Sequence, residues 1–168
     1  MRDFDIQFGT PSHGWMSLLV VADDQQWYCD VSDVPCDSIR GLISSLSMLM
    51  QGMSECAVDW SLEPEYAQWT FCRNETTLEF TITDSHSRNR QLAYRGNLRS
   101  IIHRIIKRLC DLAADKCWSS PELCTKIWSW PFPTEELARL KAVYADSIQQ
   151  EDEPSDAPKS PVDRNFES

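Results

Sequence analysis

CAVDWSLEPEYAQWTFCRNETTLEFTIT, residues 56–83, decides the fold of this chain. Apolar side chains alternate at Cys56, Val58, Trp60 and Leu62, at Ala67, Trp69 and Phe71, and at Leu78, Phe80 and Ile82. A period of two with polar residues between marks three half-buried strands, and the short polar breaks between them make an antiparallel meander. The other face carries Asp59, Ser61, Glu63, Gln68, Thr70, Glu79, Thr81 and Thr83. That face is acidic and hydroxylated, with no set of groups arranged for catalysis.

On the N-terminal side, Phe4, Ile6 and Phe8 alternate with polar residues and predict a strand, followed by a turn over residues 9–14. Residues 15–22 are apolar on both faces, which predicts a central strand covered on two sides, and residues 27–31 predict a third strand. Ile39, Leu42, Ile43, Leu46, Leu49, Met50 and Met53 fall at helical spacing, with Asp37 or Ser38 available as N-cap and Gly52 near the stop. Met50 and Met53 lie on the apolar stripe and are expected to fill core, while Arg40, Ser44, Ser45, Ser47 and Gln51 are expected to be exposed.

Beyond the meander come a polar loop at 84–90 and a short strand at 92–94. Asn97 then caps a helix with the stripe Leu98, Ile101, Ile102, Ile105, Leu109 and Leu112. Arg99, His103, Arg104, Lys107 and Arg108 turn outward, a solvated face expected to pair with acids of the same domain. Residues 118–133 hold Trp118, Trp128, Trp130 and Phe132 among prolines, and this segment is expected to pack back on the domain because exposed tryptophans invite aggregation. A last helix begins at Thr134 and runs to about Ile148, with Leu137, Leu140 and Tyr144 inward. The expectation is one α+β domain over residues 1–148. It has an antiparallel sheet of six or seven strands, two main helices packed on one face, and a further C-terminal helix. Residues 149–168, rich in Glu, Asp, Pro and Ser, are expected to form a disordered acidic tail.

Charge is distributed unevenly. The net −10 divides into −8 over residues 1–96, +2 over 97–150 and −4 over 151–168. An acidic strand-rich half disfavours nucleic acid, whose binding depends on Lys and Arg neutralising phosphate, and favours a basic protein partner. Seven cysteines without a C-x-x-C pair read as free thiols of a reducing compartment, with no metal site. The first residues lack a signal-like apolar run and no stretch is long and apolar enough to span a bilayer, so the expected location is the cytoplasm, with no membrane partner.

His13, His86 and His103 lie in a turn, a polar loop and a helix surface, without an accompanying nucleophile or carboxylate in sequence. The pattern assigns no catalytic residue and no cofactor. Glu63-Pro64-Glu65 at the strand corner has the chemistry of a turn whose acids stay in water, and it also makes a rigid acidic recognition element.

Val34-Pro35-Cys36-Asp37-Ser38-Ile39 opens the first helix and Gly52 closes it. Trp60-Ser61-Leu62-Glu63-Pro64-Glu65-Tyr66-Ala67-Gln68-Trp69 and Leu78-Glu79-Phe80-Thr81-Ile82 follow. Over residues 4–115 this order resembles the immunity proteins of bacterial polymorphic toxin systems. Where such proteins often carry glycine after Glu-Pro, this chain has Glu65. The resemblance implies a stoichiometric inhibitor of a cognate, basic toxin domain. The acidic face then offers Asp59, Glu63, Glu65 and Glu79 as partner-binding residues, with Tyr66 as an aromatic anchor. Two other classes remain open at this stage: a small enzyme with a site around His13, Glu63 and Glu65, and an adaptor or chaperone that holds a secreted client through residues 118–132.

Overall fold

The computed structural model describes residues 4–85 and 89–152. The expected α+β architecture is present: seven strands in chain order form one open antiparallel sheet, joined by four helices among the described residues. The strands are β1 (Phe4–Phe8), β2 (Trp15–Ala22), β3 (Gln25–Ser32), β4 (Glu55–Ser61), β5 (Tyr66–Asn74), β6 (Thr77–Asp84) and β7 (Arg90–Asn97). The helices are α1 (Ser38–Met50), α2 (Leu98–Ala113), α3 (Pro121–Ile127) and α4 (Thr134–Asp152).

The sheet is continuous only through one residue pair at its middle. β3 meets β4 at Ser32↔Ser61 and nowhere else in register, whereas β2–β3 and β4 through β7 pair along nearly their whole lengths. The β1–β3 half bends over the inner face of the β4–β7 half at this bridge. Ring contacts trace the bend: Phe4 stacks on Tyr94 and meets Phe80 edge-on, while Phe8, at the other end of β1, lies 6.4 Å from Trp60. Trp69 is the hub, within 5.1–6.0 Å of Trp60, Phe80 and Trp27. Every inward residue of the three quoted strands except half-buried Leu62 is buried, so the alternation in the sequence was a reading of this core.

α1 packs on β4, α2 on β1, and α4 lies outside both helices. Asp37 caps α1 by accepting the Arg40 N–H at 3.1 Å, and Asn97 caps α2 by accepting that of Ser100 at 3.0 Å. Ser38 and Ser45 are buried, contrary to the exposure expected for Ser45. The reason is the single-pair bridge, which leaves the β3-side edge of β4 open from Trp60 back to Glu55. Helix α1 covers that edge, and the hydroxyls of Ser38 and Ser45 donate to the carbonyls of Asp59 and Ala57 at 2.7 and 3.4 Å. Met53 is corrected in the opposite sense. It lies past the helix end, after Gly52 turns the chain at φ +106°, and is 50% exposed, while Met50 packs against the core.

Two further expectations are refined. The strand at 15–22 is second from the sheet edge, not central. Leu19 and Val21 on its outer face are only half-buried, because β1 and β3 flank this strand edge to edge and leave that face partly open. Pro121 starts α3 in the first turn behind the Ser120 cap, where its missing N–H needs no partner, and no helix runs on from α2 through this point. Helix α4 extends to Asp152, so the first four residues assigned to the tail are helical, and residues 153–168 lie outside the described residues. No helix among the described residues is long and apolar enough to cross a membrane.

Candidate functional site

The β4–β5 hairpin positions four of the five residues singled out in the sequence. Strand pairing places Asp59 opposite Gln68 and Ser61 opposite Tyr66, and the Leu62 N–H closes the turn on the Glu65 carbonyl at 2.7 Å. Glu63 takes a left-handed backbone (φ 35°) ahead of a cis Pro64. Its carboxylate accepts the hydroxyl of buried Ser32, the residue that bridges to Ser61. Asp59 accepts the Gln68 side-chain amide at 3.0 Å. Tyr66 is 45% exposed on a fixed backbone, its N–H donating to the Ser85 hydroxyl and its carbonyl accepting the Ser85 N–H. Asp59, Glu63, Glu65 and Tyr66 therefore form one acidic end with an aromatic ring in it.

Glu79 does not join them. Register puts it beside Cys72, which pairs with Glu55, four residues before Asp59 along β4. At strand rise that is about 13 Å away. It also stands directly opposite Arg95 on β7, an opposite-sign neighbour that tempers its charge.

Sequence reasoning passed over two exposed residues of β3, Tyr28 and Asp30. Tyr28 and Asp30 alternate with inward residues on β3 and share the face of Ser32, which Glu63 holds. Tyr28 is 66% exposed, the largest such value among its big apolar side chains, and its hydroxyl reaches Asp30 at 3.4 Å. The signal available in the sequence was the alternation at residues 25–32, but its link to the hairpin is a long-range pairing.

A second cluster forms where the 9–14 turn meets the segment after α3. Asp33 is 5% exposed and its carboxylate accepts the backbone N–H of Ser129. Its backbone completes the joint: its N–H donates to the Gly14 carbonyl at 3.0 Å, and its carbonyl accepts the Trp130 indole N–H at 2.8 Å. Gly14 is required here, since its φ is +80° and a Cβ would stand 3.1 Å from the Asp33 carboxylate. This joint holds the aromatic segment on the domain, with Trp128 buried at 1% exposure and Trp118 packed partly against the core. Trp130 departs from the expected packing and stays 38% exposed, because its indole edge is held on the Asp33 carbonyl at the surface.

Part of the basic face of α2 is also engaged internally, while Lys107 is exposed. Arg108 makes a two-pronged contact with Asp5 at 2.9 and 2.5 Å, and Arg104 donates to the Phe4 carbonyl at 2.7 Å. The hydrogen bond from Arg108 holds the Asp5 carboxyl below the ordinary carboxylate range against the opposing effect of burial. These bases fasten α2 to β1, which is the pairing with acids of the domain that the charge pattern suggested.

His13 lies in the turn at φ 53° with its ring on the neighbouring Ser12 hydroxyl at 2.8 Å. Cys117 and Cys124 are buried, with the Cys124 thiol 3.6 Å from the Cys117 carbonyl, and burial pushes the Cys117 thiol up to about 12. Among the described residues no three His, Cys, Asp or Glu side chains converge as metal ligands. The chain matches no family model, no curated protein and no solved structure.

Proposed function

We propose that this chain is a stoichiometric inhibitor of the immunity-protein type, acting in the cytoplasm on a basic secreted toxin domain. The observation that carries this reading is the acidic end of the β4–β5 hairpin. Ser32 and Gln68 hold the carboxylates of Glu63 and Asp59 in place, and the exposed ring of Tyr66 stands on the same hairpin. Charges fixed before binding lose little freedom on association, and aromatic anchors among them are where interface energy concentrates. Net −10 supplies the long-range field that speeds encounter with a basic partner.

Protection on co-expression with the toxin domain encoded beside this chain tests the reading. The wild-type chain is expected to rescue growth, and Asp59→Lys with Glu65→Lys to weaken rescue. Glu63 is left out of the reversal because its carboxylate holds Ser32, so changing it would disturb the bridge. Glu79→Lys serves as the distant comparison and is expected to leave rescue unchanged. Equal survival with and without the wild-type chain would overturn the proposal, as would turnover of a substrate by the purified protein alone.

A further inference from the structure

A cavity of about 480 Å³ opens between the end of α2, α3 and the start of α4, walled by Trp118, Trp128, Trp130 and Phe132. Its volume lies within the range of small-ligand pockets. The polar edges of two wall rings are already engaged: the Trp118 indole N–H donates to the Leu112 carbonyl at 2.9 Å and that of Trp130 to the Asp33 carbonyl at 2.8 Å. Trp118 and Phe132 stand 5.3 Å apart at 60°. With the indole N–H groups of Trp118 and Trp130 engaged, these two rings have their π faces left to offer an incoming group, and π faces attract cations, while the buried indole N–H of Trp128 has no partner among the described residues.

Asp33 adds the charge. It is buried behind the wall, its carboxylate on the N–H of cavity-lining Ser129, and among the described residues no Lys or Arg bonds to it or pairs with it. A buried carboxylate is stabilised by a countercharge, and this one has none among the described residues. Rigid aromatic walls backed by an uncompensated acid, in a protein of net −10, suit a planar delocalised cation better than a compact hydrated one. We infer that the cavity receives an arginine side chain of the protein partner, stacked on the tryptophan faces, with the charge of Asp33 acting from behind cavity-lining Ser129 rather than by direct contact. The identity of that partner rests on the inhibitor reading above; the preference for guanidinium does not.

The test uses the full chain with N-acetyl-arginine methylamide as probe, its neutral citrulline counterpart and a leucine counterpart, followed by tryptophan fluorescence and indole N–H chemical shifts. The arginine probe is expected to saturate with Kd on the order of 1 mM, and the citrulline probe to bind at least about tenfold more weakly. Thr125→Trp fills the cavity from an exposed position and should abolish binding while the unfolding temperature stays near wild type. Trp130→Leu should also lose binding, and Trp130→Phe, which keeps a π face, should retain part of it. Equal binding of the citrulline or leucine probe overturns the guanidinium assignment, and so does undiminished binding by Thr125→Trp. In cells, loss of rescue by Thr125→Trp supports the partner assignment. Full rescue by that variant removes the cavity from the interface while leaving the inhibitor reading standing, whereas absence of rescue by the wild type overturns the inhibitor reading and the named partner together.

Discussion

The two faces of β4–β7 are drawn from the same residues in alternation, yet they answer to different demands. Trp60, Trp69, Phe71 and Phe80 point inward, are buried, and touch one another or the rings of β1 and β3. Asp59, Gln68, Thr70, Thr81 and Glu79 point the other way and are left to water or light cross-strand contact. Packing fixes the first set because each ring loses contacts if its neighbour changes. The second set is constrained only by solubility and by whatever it meets, which is why it is the place to look for recognition.

The largest expected effect tests the inner face. Trp69→Ala removes the hub of the aromatic core and should destabilise by about 3–5 kcal/mol in urea unfolding. A loss below about 1 kcal/mol would mean that the two halves of the sheet do not depend on this contact. Next comes the joint at Asp33. Gly14→Ala forces a side chain into the left-handed region against the Asp33 carboxylate and should destabilise by about 1–3 kcal/mol, read as a drop in unfolding temperature. No drop would show that the turn rearranges freely and that the aromatic segment is held by something else.

These elements differ in how far the sequence discloses them. Strands β4, β5 and β6 were legible because alternation is local, and both long amphipathic helices were legible from their stripes and caps. The single Ser32↔Ser61 bridge was not, since it joins residues from strands separated by a helix. Its consequence was hidden with it: the burial of Ser38 and Ser45 over the open β4 edge. Asp59, Glu63, Glu65 and Tyr66 could be grouped from the sequence because one hairpin carries them. Glu79 was grouped by charge alone, and strand register separates it. Asp33 looked like any acid before a proline-containing turn, because the Ser129 that it holds is far along the chain.

A smaller effect concerns pH. The Asp5 carboxyl is held down in the folded state by Arg108, so the stability from this pair is fully present above the unfolded-state range. It is lost as pH falls through the lower folded value. Partly exposed, the pair is worth about 1 kcal/mol. Asp5→Asn should lower the unfolding temperature at pH 7 and flatten its fall between pH 5 and 2; parallel curves for variant and wild type would remove this fastening from the account. The smallest effect belongs to the outer face. Asp59→Lys with Glu65→Lys should change stability by less than about 0.5 kcal/mol, and a larger loss would make those acids structural and erase the contrast between the faces.

The most direct measurement is the association rate of the full chain with the toxin domain encoded beside it, taken by stopped flow across a series of salt concentrations. Tight one-to-one binding is expected, with an association rate that falls as salt rises. The Asp59→Lys, Glu65→Lys double variant should associate roughly tenfold more slowly with a shallower salt dependence, and Glu79→Lys should match the wild type. Failure to form a complex, or a double variant that associates as fast as wild type at every salt concentration, would contradict the claim that the acidic hairpin end is the recognition surface.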